Sequence, residues 1–151
     1  MRPLHLLLLS LIACSPSGTG DDAPSDLPAD VPPAVTASDI EGADWWLVSL
    51  GGASAHAAPD STVPSLRLDV AESRATGNGG CNRFGGTYTL DGSALSFGPL
   101  AMTRRACLEE ALNRQETAFG QALADTRSWR MAGDTLVLTG DAGDLARLVR
   151  R

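Results

Sequence analysis

Apolar and polar residues alternate along several short runs of the chain. Leu66, Leu68 and Val70 fall on one face of residues 65–71, with charged residues between them. This period of two predicts a half-buried β-strand. Residues 74–78 follow after a short gap, and we expect them to continue as the second strand of a hairpin.

Residues 43–50 form a run with large side chains on both faces. Trp45 and Leu47 fall on one face, and Trp46 and Val48 fall on the other. A strand that is apolar on both faces is typical of the inside of a sheet. We therefore predict a strand here that is buried or that closes a barrel.

Turn signals divide the remaining strand patterns. Asp91-Gly92 is a typical two-residue hairpin turn, and Gly133-Asp134 predicts a second turn. The strands predicted around these turns are residues 86–90, 94–97, 100–103, 127–132, 135–139 and 145–149.

One stretch, residues 108–126, has the period of an amphipathic helix. The predicted apolar stripe consists of Leu108, Leu112, Gln115, Phe119, Ala122 and Leu123. The residues expected to face water are Glu109, Glu110, Arg114, Glu116 and Gln121. One helix between two groups of strands indicates an α+β domain.

Glycine is concentrated just before the predicted strand at residues 86–90. Five of the eleven residues from 77 to 87 are glycine. Glycine is needed where φ is positive or where another backbone passes close by. We therefore expect residues 77–86 to form a tight, shaped bend.

Three stretches stand together in a recognisable order. They are Trp46-Leu47 with Leu50, residues 80–88 (GCNRFGGTY) and residues 102–107 (MTRRAC). With the helix and paired strands that follow, this order resembles the META domain, also called the HslJ-like domain. The resemblance covers about residues 44–151. It implies an α+β, mostly β fold: a strongly curved antiparallel sheet, like a partly open barrel, with one packed helix. The family includes envelope lipoproteins and heat-shock-associated proteins, and the resemblance implies no catalytic residues.

Charge is distributed unevenly along the chain. The net charge is −6, and every cation of the chain is an arginine. Seven acidic residues precede residue 45, whereas the remainder has as many arginines as acids. The domain is therefore nearly neutral and lacks the basic footprint of a nucleic-acid-binding protein.

The chain begins like a bacterial lipoprotein. Residues 1–13 are a short apolar run after an arginine, too short to span a bilayer. Leu11-Ile12-Ala13-Cys14 resembles a lipobox, which implies cleavage before Cys14 and acylation of its thiol. Two or more acyl chains give stable membrane anchoring. The alternative is an ordinary secretory signal in which Cys14 is incidental.

Residues 14–43 link this anchor to the domain. The segment is rich in proline, aspartate, alanine and serine, so we expect an acidic, solvated tether without regular structure. Serine follows Cys14, which favours the outer membrane, facing the periplasm. The domain itself is predicted to span residues 44–151.

Two cysteines remain besides Cys14. Export favours a disulfide between Cys81 and Cys107. The alternatives are two buried thiols, a metal pair, or a nucleophile with a base. His56 is the one ordinary base available for such a nucleophile, and a lone loop histidine is usually only exposed.

Polar residues next to the two cysteines form a candidate binding rim. They are Asn82, Arg83, Arg104 and Arg105. Arginines of this kind recognise anionic groups. The alternative is a set of solvated arginines, some of them paired with the helix acids Glu109 and Glu110.

These observations predict a non-enzymatic, lipid-anchored envelope protein without cofactor or metal that acts as a binding or stress-maintenance module. One alternative is an inhibitor that binds an envelope protein through a protruding glycine-rich loop. Another is a binder of a lipid or small ligand in an apolar groove between sheet and helix. We expect a monomer whose partner is an envelope protein or a small ligand.

Overall fold

A computed structural model describes residues 36–56 and 62–151. The predicted signal peptide, Cys14 and most of the tether lie outside the described residues. The strands are β1 (Asp44–Leu50), β2 (Ala53–Ser54), β3 (Ser65–Asp69), β4 (Arg74–Asn78), β5 (Arg83–Asp91), β6 (Ala94–Phe97), β7 (Ala101–Met102), β8 (Ser128–Ala132), β9 (Thr135–Gly140) and β10 (Gly143–Arg150). The helix α1 spans Glu110–Asp125, and a short 3-10 turn spans Ala37–Asp39.

The strands form one strongly curved antiparallel sheet. Neighbours pair in the order β10-β9-β8-β6-β5-β4-β3-β1, and β10 also pairs with β1. The ring of pairings is thinnest between β6 and β8, which are joined through the single pair Ala94 and Ser128. α1 contacts β1, β6, β9 and β10. The predicted fold class, a curved antiparallel sheet with one packed helix, is confirmed.

The core lies between the concave face of the sheet and α1. Its large members are Trp45, Leu47, Leu66, Leu68, Leu95, Phe119, Leu123, Trp129, Leu136, Leu138 and Leu148. Phe84 meets Phe119 edge to face, with ring centroids 6.0 Å apart. The alternation along the strands therefore supplies one wall of the core, and the helical stripe supplies the other.

β1 closes the ring, as its sequence predicted, because it pairs with β3 on one side and β10 on the other. Its buried face is that of Trp45 and Leu47, whereas Val48 is 41% exposed. Trp46 is half-buried under the guanidinium of Arg151, which lies 5.2 Å from its ring centroid. The two faces are thus unequal, and a cation covers the outer tryptophan.

Two predictions about the strands and their turns differ from the structure. Val70 was expected to point inward, but β3 ends at Asp69 and Val70 is 62% exposed. The hairpin turn is Gly92-Ser93, one residue later than predicted, because Asp91 still pairs with Ala94. A two-residue loop needs the positive φ at its first position, and Gly92 supplies it.

The packed chain begins before Asp44. Ile40 is fully buried, and its carbonyl accepts a hydrogen bond from the indole Nε1 of Trp45 at 2.8 Å. The backbone N–H of Gly42 donates to the carbonyl of Leu68 at 2.9 Å. These residues, which the sequence assigned to the end of the tether, therefore pack on the sheet.

The helix begins two residues later than predicted. Leu108, expected to head the apolar stripe, lies before α1 and is fully exposed. Glu109 is the N-cap residue, and its extended backbone turns Leu108 away from the core. Within the described part of the chain, no helix is long and apolar enough to cross a membrane.

Candidate functional site

Glu116 lies in the middle of the buried stripe of α1. The buried residues of this helix are Leu112, Glu116, Phe119, Ala122 and Leu123. Sequence analysis assigned Glu116 to the water-facing side, but the residue is 7% exposed. That prediction was wrong because the helical period places this position between Leu112 and Phe119, on the same face.

The carboxylate of Glu116 receives donors from the glycine-rich bend. Its Oε2 accepts the backbone N–H of Asn82 at 2.6 Å and that of Cys81 at 3.2 Å. Its Oε1 accepts a hydrogen bond from Asn82 Nδ2 at 2.7 Å. Consecutive backbone N–H groups aimed at a carboxylate stabilise its charge, so this buried acid is fully partnered.

Asn82 is the second centre of the same network. Its Oδ1 accepts hydrogen bonds from Thr103 Oγ1 at 2.9 Å and from the backbone N–H of Arg105 at 2.7 Å. Its Nδ2 also donates to the carbonyl of Arg105 at 3.0 Å. Asn82 is 3% exposed, so it lies beneath the surface on which the three arginines of the predicted rim are exposed, and a binding role for it stays a prediction. Its amide satisfies backbone groups of the segment before α1.

A disulfide joins the same two segments. Cys81 and Cys107 are bonded, with Cα atoms 5.8 Å apart, which is a usual separation for such a bond. The bridge that sequence analysis favoured is therefore present, next to the Asn82 and Glu116 hydrogen bonds. The glycine-rich bend is held at one point by a covalent bond and at the next residue by hydrogen bonds.

The glycine-rich bend is shorter than the predicted residues 77–86, because β4 ends at Asn78 and β5 begins at Arg83. The remaining bend, residues 79–82, does not protrude. Gly79, Gly80 and Asn82 are buried, and a Cβ on Gly79 would lie 2.6 Å from Cγ of Glu116. Only a residue without a side chain fits at this position, because the acid occupies the space. Gly79 therefore allows the bend to pack closely on α1.

The three arginines of the predicted rim are exposed. Among the described residues, no ion pair involves Arg83, Arg104 or Arg105. The alternative pairing with the two helix acids is not found, since Glu110 pairs with Arg114 at 2.6 Å and Glu109 bonds elsewhere. Recognition of an anionic group by these arginines stays a prediction.

His56 is held against the helix. Its Nε2 lies 3.1 Å from Glu109 Oε2, and the side chain is 47% exposed. Its backbone N–H and carbonyl bond the amide of Gln115 at 2.5 Å and 2.9 Å. Gln115, predicted as part of the apolar stripe, thus fastens a loop to α1. His56 has an acid beside it, but neither cysteine thiol is free to serve as a nucleophile.

An apolar groove opens between α1 and the connection from β6 to β7. Its volume is about 640 Å³. The lining residues are Phe97, Gly98, Pro99, Leu100 and Met102 on one side, and Glu116, Thr117, Gly120 and Ala124 on the other.

The groove combines apolar walls with one acid. Glu116 is the single charged residue that lines it, and no cation does. Gly120 leaves the helix side open, because the nearest atom to a Cβ built there is Met102 Cε at 3.8 Å. A volume of this size with mostly apolar walls is typical of ligand-binding clefts.

Tyr88 of β5 connects this strand to the start of the domain. Its hydroxyl donates to the carboxylate of Glu41. Burial raises the pKa of Tyr88 well above its ordinary value, and the hydrogen bond to Glu41 and the charges of Glu41 and Asp69 raise it further. The tyrosine is thus a structural donor that stays protonated.

Comparisons with known proteins agree with this architecture. A family model described as META domain matches residues 38–151. A solved structure described as "NMR structure of the protein from Burkholderia xenovorans" is 28% identical, covers 76% of this chain and 85% of its own, and has a TM-score of 0.59. A second, described as "NMR structure of the protein", is 23% identical, covers 76% and 95%, and has a TM-score of 0.61; it supports the fold alone. No curated protein matches the chain.

Proposed function

Because the chain belongs to the META domain family, we propose that it is a lipid-anchored protein of the cell envelope that binds apolar segments of other proteins. The binding site is the groove between α1 and the β6–β7 connection. The observation that carries the proposal is this groove, about 640 Å³ in volume and lined mainly by apolar residues. Such a binder would cover exposed apolar segments, which is a maintenance role under stress.

The charge of the groove favours a protein segment over an anionic lipid. Fatty acids and anionic phospholipids carry a negative head group, which a cation in the binding site would stabilise. No cation lines the groove, and the carboxylate of Glu116 would repel such a head group. An uncharged segment with apolar side chains meets no such repulsion.

The free edge of β7 also favours an extended peptide. β7 pairs with β5, and no other described strand pairs with it. Two of the groove residues, Leu100 and Met102, belong to this strand or adjoin it. An extended peptide can bond a free strand edge while its alternate side chains enter an adjoining pocket.

Binding is favoured over catalysis by the state of Glu116. This acid is the one titratable side chain among the groove residues, and both of its oxygens accept hydrogen bonds from the protein. Acid–base catalysis usually relies on a cluster of titratable groups, and no second one stands beside Glu116 among the residues that line the groove. The groove therefore offers shape and apolar contact and lacks a cluster of reactive groups.

The position of the glycine-rich bend disfavours the alternative function as an inhibitor. It required a protruding glycine-rich loop, whereas Gly79 and Gly80 are buried, and Gly79 packs against Glu116 of α1. The proposed peptide-binding groove is a different surface. The bend contributes to it only indirectly, by hydrogen bonds to Glu116, which lines the groove.

The proposed location in the cell envelope is supported mainly by the sequence. Leu11-Ile12-Ala13-Cys14 resembles a lipobox, and a disulfide is typical of exported proteins. A Cys14→Ser variant should accumulate as unprocessed precursor and leave the detergent phase on partitioning. Unchanged processing and partitioning of that variant would contradict the lipid anchor.

The binding claim is tested with one peptide and two matched variants. The probe is a short fluorescein-labelled serine-glycine peptide with two leucines at alternate positions and blocked termini; serines replace the leucines in the control peptide. Ala124→Leu fills the groove, whereas Ala118→Leu makes the same change on the part of α1 that lines a different depression. We expect saturable binding that Ala124→Leu weakens about tenfold or more, which is 1.4 kcal/mol, and that Ala118→Leu leaves unchanged.

Two outcomes would contradict the proposal. One is an equal affinity for the leucine peptide and its serine control. The other is binding of a lysophospholipid that Ala124→Leu abolishes, together with no binding of the peptide, which would make the groove an acyl-chain site.

A further inference from the structure

We infer that reduction of the disulfide between Cys81 and Cys107 creates a site for a thiophilic divalent metal ion such as Zn²⁺, with Glu116 as the third ligand. The two sulfurs and a carboxylate oxygen of Glu116 all lie within 4.8 Å of one another. This inference does not depend on the proposed peptide binding. In the oxidised protein the sulfurs are bonded to each other, so the site exists only in the reduced form.

The distances fit a zinc site after a small change. Zinc binds thiolate at about 2.3 Å and carboxylate oxygen at about 2.0–2.2 Å, in tetrahedral geometry. Two thiolates on one zinc then lie roughly 3.8 Å apart. The Cα atoms of the two cysteines are 5.8 Å apart, so the sulfurs reach that separation through side-chain rotation.

Glu116 is already oriented as a ligand. Asn82 and the backbone N–H of Cys81 fix the plane of the carboxylate, with Asn82 bonding both oxygens. Oε2 accepts two of these hydrogen bonds, whereas Oε1 accepts one and keeps a lone pair for a metal ion. Hydrogen bonds of this kind position ligands in metal sites and strengthen binding.

A zinc ion bound here would have three protein ligands and one open coordination position. Cys107 and Glu116 are buried, whereas Cys81 is only partly buried. Three protein ligands with an open side toward solvent leave the fourth place to water or an exchangeable ligand. We therefore expect a reversible site.

The chemistry balances in two steps. A dithiol reductant gives two electrons and two protons to the disulfide, its own sulfurs form a new disulfide, and Cys81 and Cys107 become thiols. Binding of the divalent ion then forms two metal–sulfur bonds and one metal–oxygen bond. The two S–H bonds break in that step, and two protons are released to solvent.

The test uses the chain with Cys14→Ser, so that Cys81 and Cys107 are its only thiols. The protein is reduced with a phosphine, and Zn²⁺ or Co²⁺ alone is added, with competition by a chromophoric chelator. We expect one Zn²⁺ per reduced chain, a sulfur-to-cobalt charge-transfer band with Co²⁺, and a higher melting temperature of the reduced protein with Zn²⁺. The oxidised protein should show none of these.

Two variants separate the ligands. Cys107→Ser leaves Glu116 and its hydrogen-bonding partners in place and should lose the charge-transfer intensity of one sulfur and most of the affinity. Glu116→Gln should weaken Zn²⁺ binding by more than about tenfold while both sulfur–cobalt bonds remain. Near-ultraviolet circular dichroism reports whether each variant is folded.

Three results would overturn the inference. One is equal Zn²⁺ affinity of the oxidised and reduced proteins, which would place any metal elsewhere. Another is a reduced protein that binds Zn²⁺ as tightly with Cys107→Ser as without it. The third is a reduced protein that is unfolded both with and without Zn²⁺.

Discussion

Asn82 donates to both carboxylate oxygens of Glu116, through its backbone N–H at 2.6 Å and its side-chain Nδ2 at 2.7 Å. The two residues are 34 positions apart in the chain. This contact ties the glycine-rich bend to the middle of α1, and the Oδ1 of Asn82 extends the tie to the segment before the helix. The network and the disulfide together support one end of the apolar groove.

Removing the charge of Glu116 should destabilise the domain. In Glu116→Gln an NH₂ group replaces one oxygen and faces donors of Asn82 and Cys81, so buried N–H groups lose their acceptor. We expect a loss of about 3 kcal/mol in the free energy of unfolding, measured by urea denaturation.

The control is the same substitution at Glu110, on the exposed side of the same helix. That acid forms a surface pair with Arg114, and such pairs contribute about 0.3–0.5 kcal/mol. Equal destabilisation by both substitutions would show that the network around Glu116 adds no stability.

Two glycine-to-alanine substitutions should have opposite signs. At Gly79 a Cβ would lie 2.6 Å from Glu116, and overpacking of this kind costs about 1–3 kcal/mol. At Gly120 the nearest atom is 3.8 Å away, so alanine fits and should stabilise the helix by about 0.5–1 kcal/mol. Melting temperatures measured side by side check this, and a stabilising Gly79→Ala would refute the close packing of the bend.

Reduction of the disulfide should weaken the domain without unfolding it at room temperature. The bridge closes a loop with a sequence separation of 26, which contributes roughly 3.5 kcal/mol by the chain-entropy argument. The hydrogen bonds between Asn82 and Glu116 remain and keep the bend in place. Cys81→Ser with Cys107→Ser should lower the melting temperature about as much as a metal-free phosphine does. If neither treatment changes the melting temperature, the bridge does not stabilise the fold.

Tyr88, the one tyrosine of the chain, should resist ionisation. Its pKa is raised in the folded protein by burial and by its bond to Glu41, so above pH about 10 the unfolded chain loses this proton first. Stability should therefore be unaffected below pH 10 and fall as the pH rises beyond it. At pH about 11 the ultraviolet absorbance of tyrosinate should appear only in urea. Tyrosinate in a protein that circular dichroism shows to be folded would contradict this.

Much of the sheet could be predicted from the sequence because its strands are half-buried. Leu66 and Leu68 alternate with charged residues, and the structure buries both. The Gly133-Asp134 turn also falls between β8 and β9 as predicted. In these places one local pattern, alternation or a turn residue, determines the local structure.

The site was harder to predict because contacts between segments that are distant in the sequence determine which of its residues are buried. Glu116 looks like a surface acid by residue type, and only its position between Leu112 and Phe119 indicates burial. Leu108 looks like a core residue, but the N-terminus of the helix turns it outward. The missed signal was a set of backbone N–H donors in the glycine-rich bend, which need an acceptor when buried.

The groove itself leaves no mark in the sequence. Its walls come from the β6–β7 connection and α1, which ordinary apolar residues such as Leu100 and Ala124 line. Their apolar character predicts a core as readily as a groove. The groove arises from the space that the fold leaves between the β6–β7 connection and α1, which are separate segments of the chain.

The central claim, that this groove holds an apolar protein segment, is tested most directly by intermolecular nuclear Overhauser effects. The measurement uses the labelled chain with Cys14→Ser and the leucine-containing peptide. We predict contacts from the leucine methyls of the peptide to the methyl groups of Met102 and Leu100, which line the groove. Contacts to Leu50 and Leu145, which line the depression on another side of α1, or no contacts at all, would contradict the account.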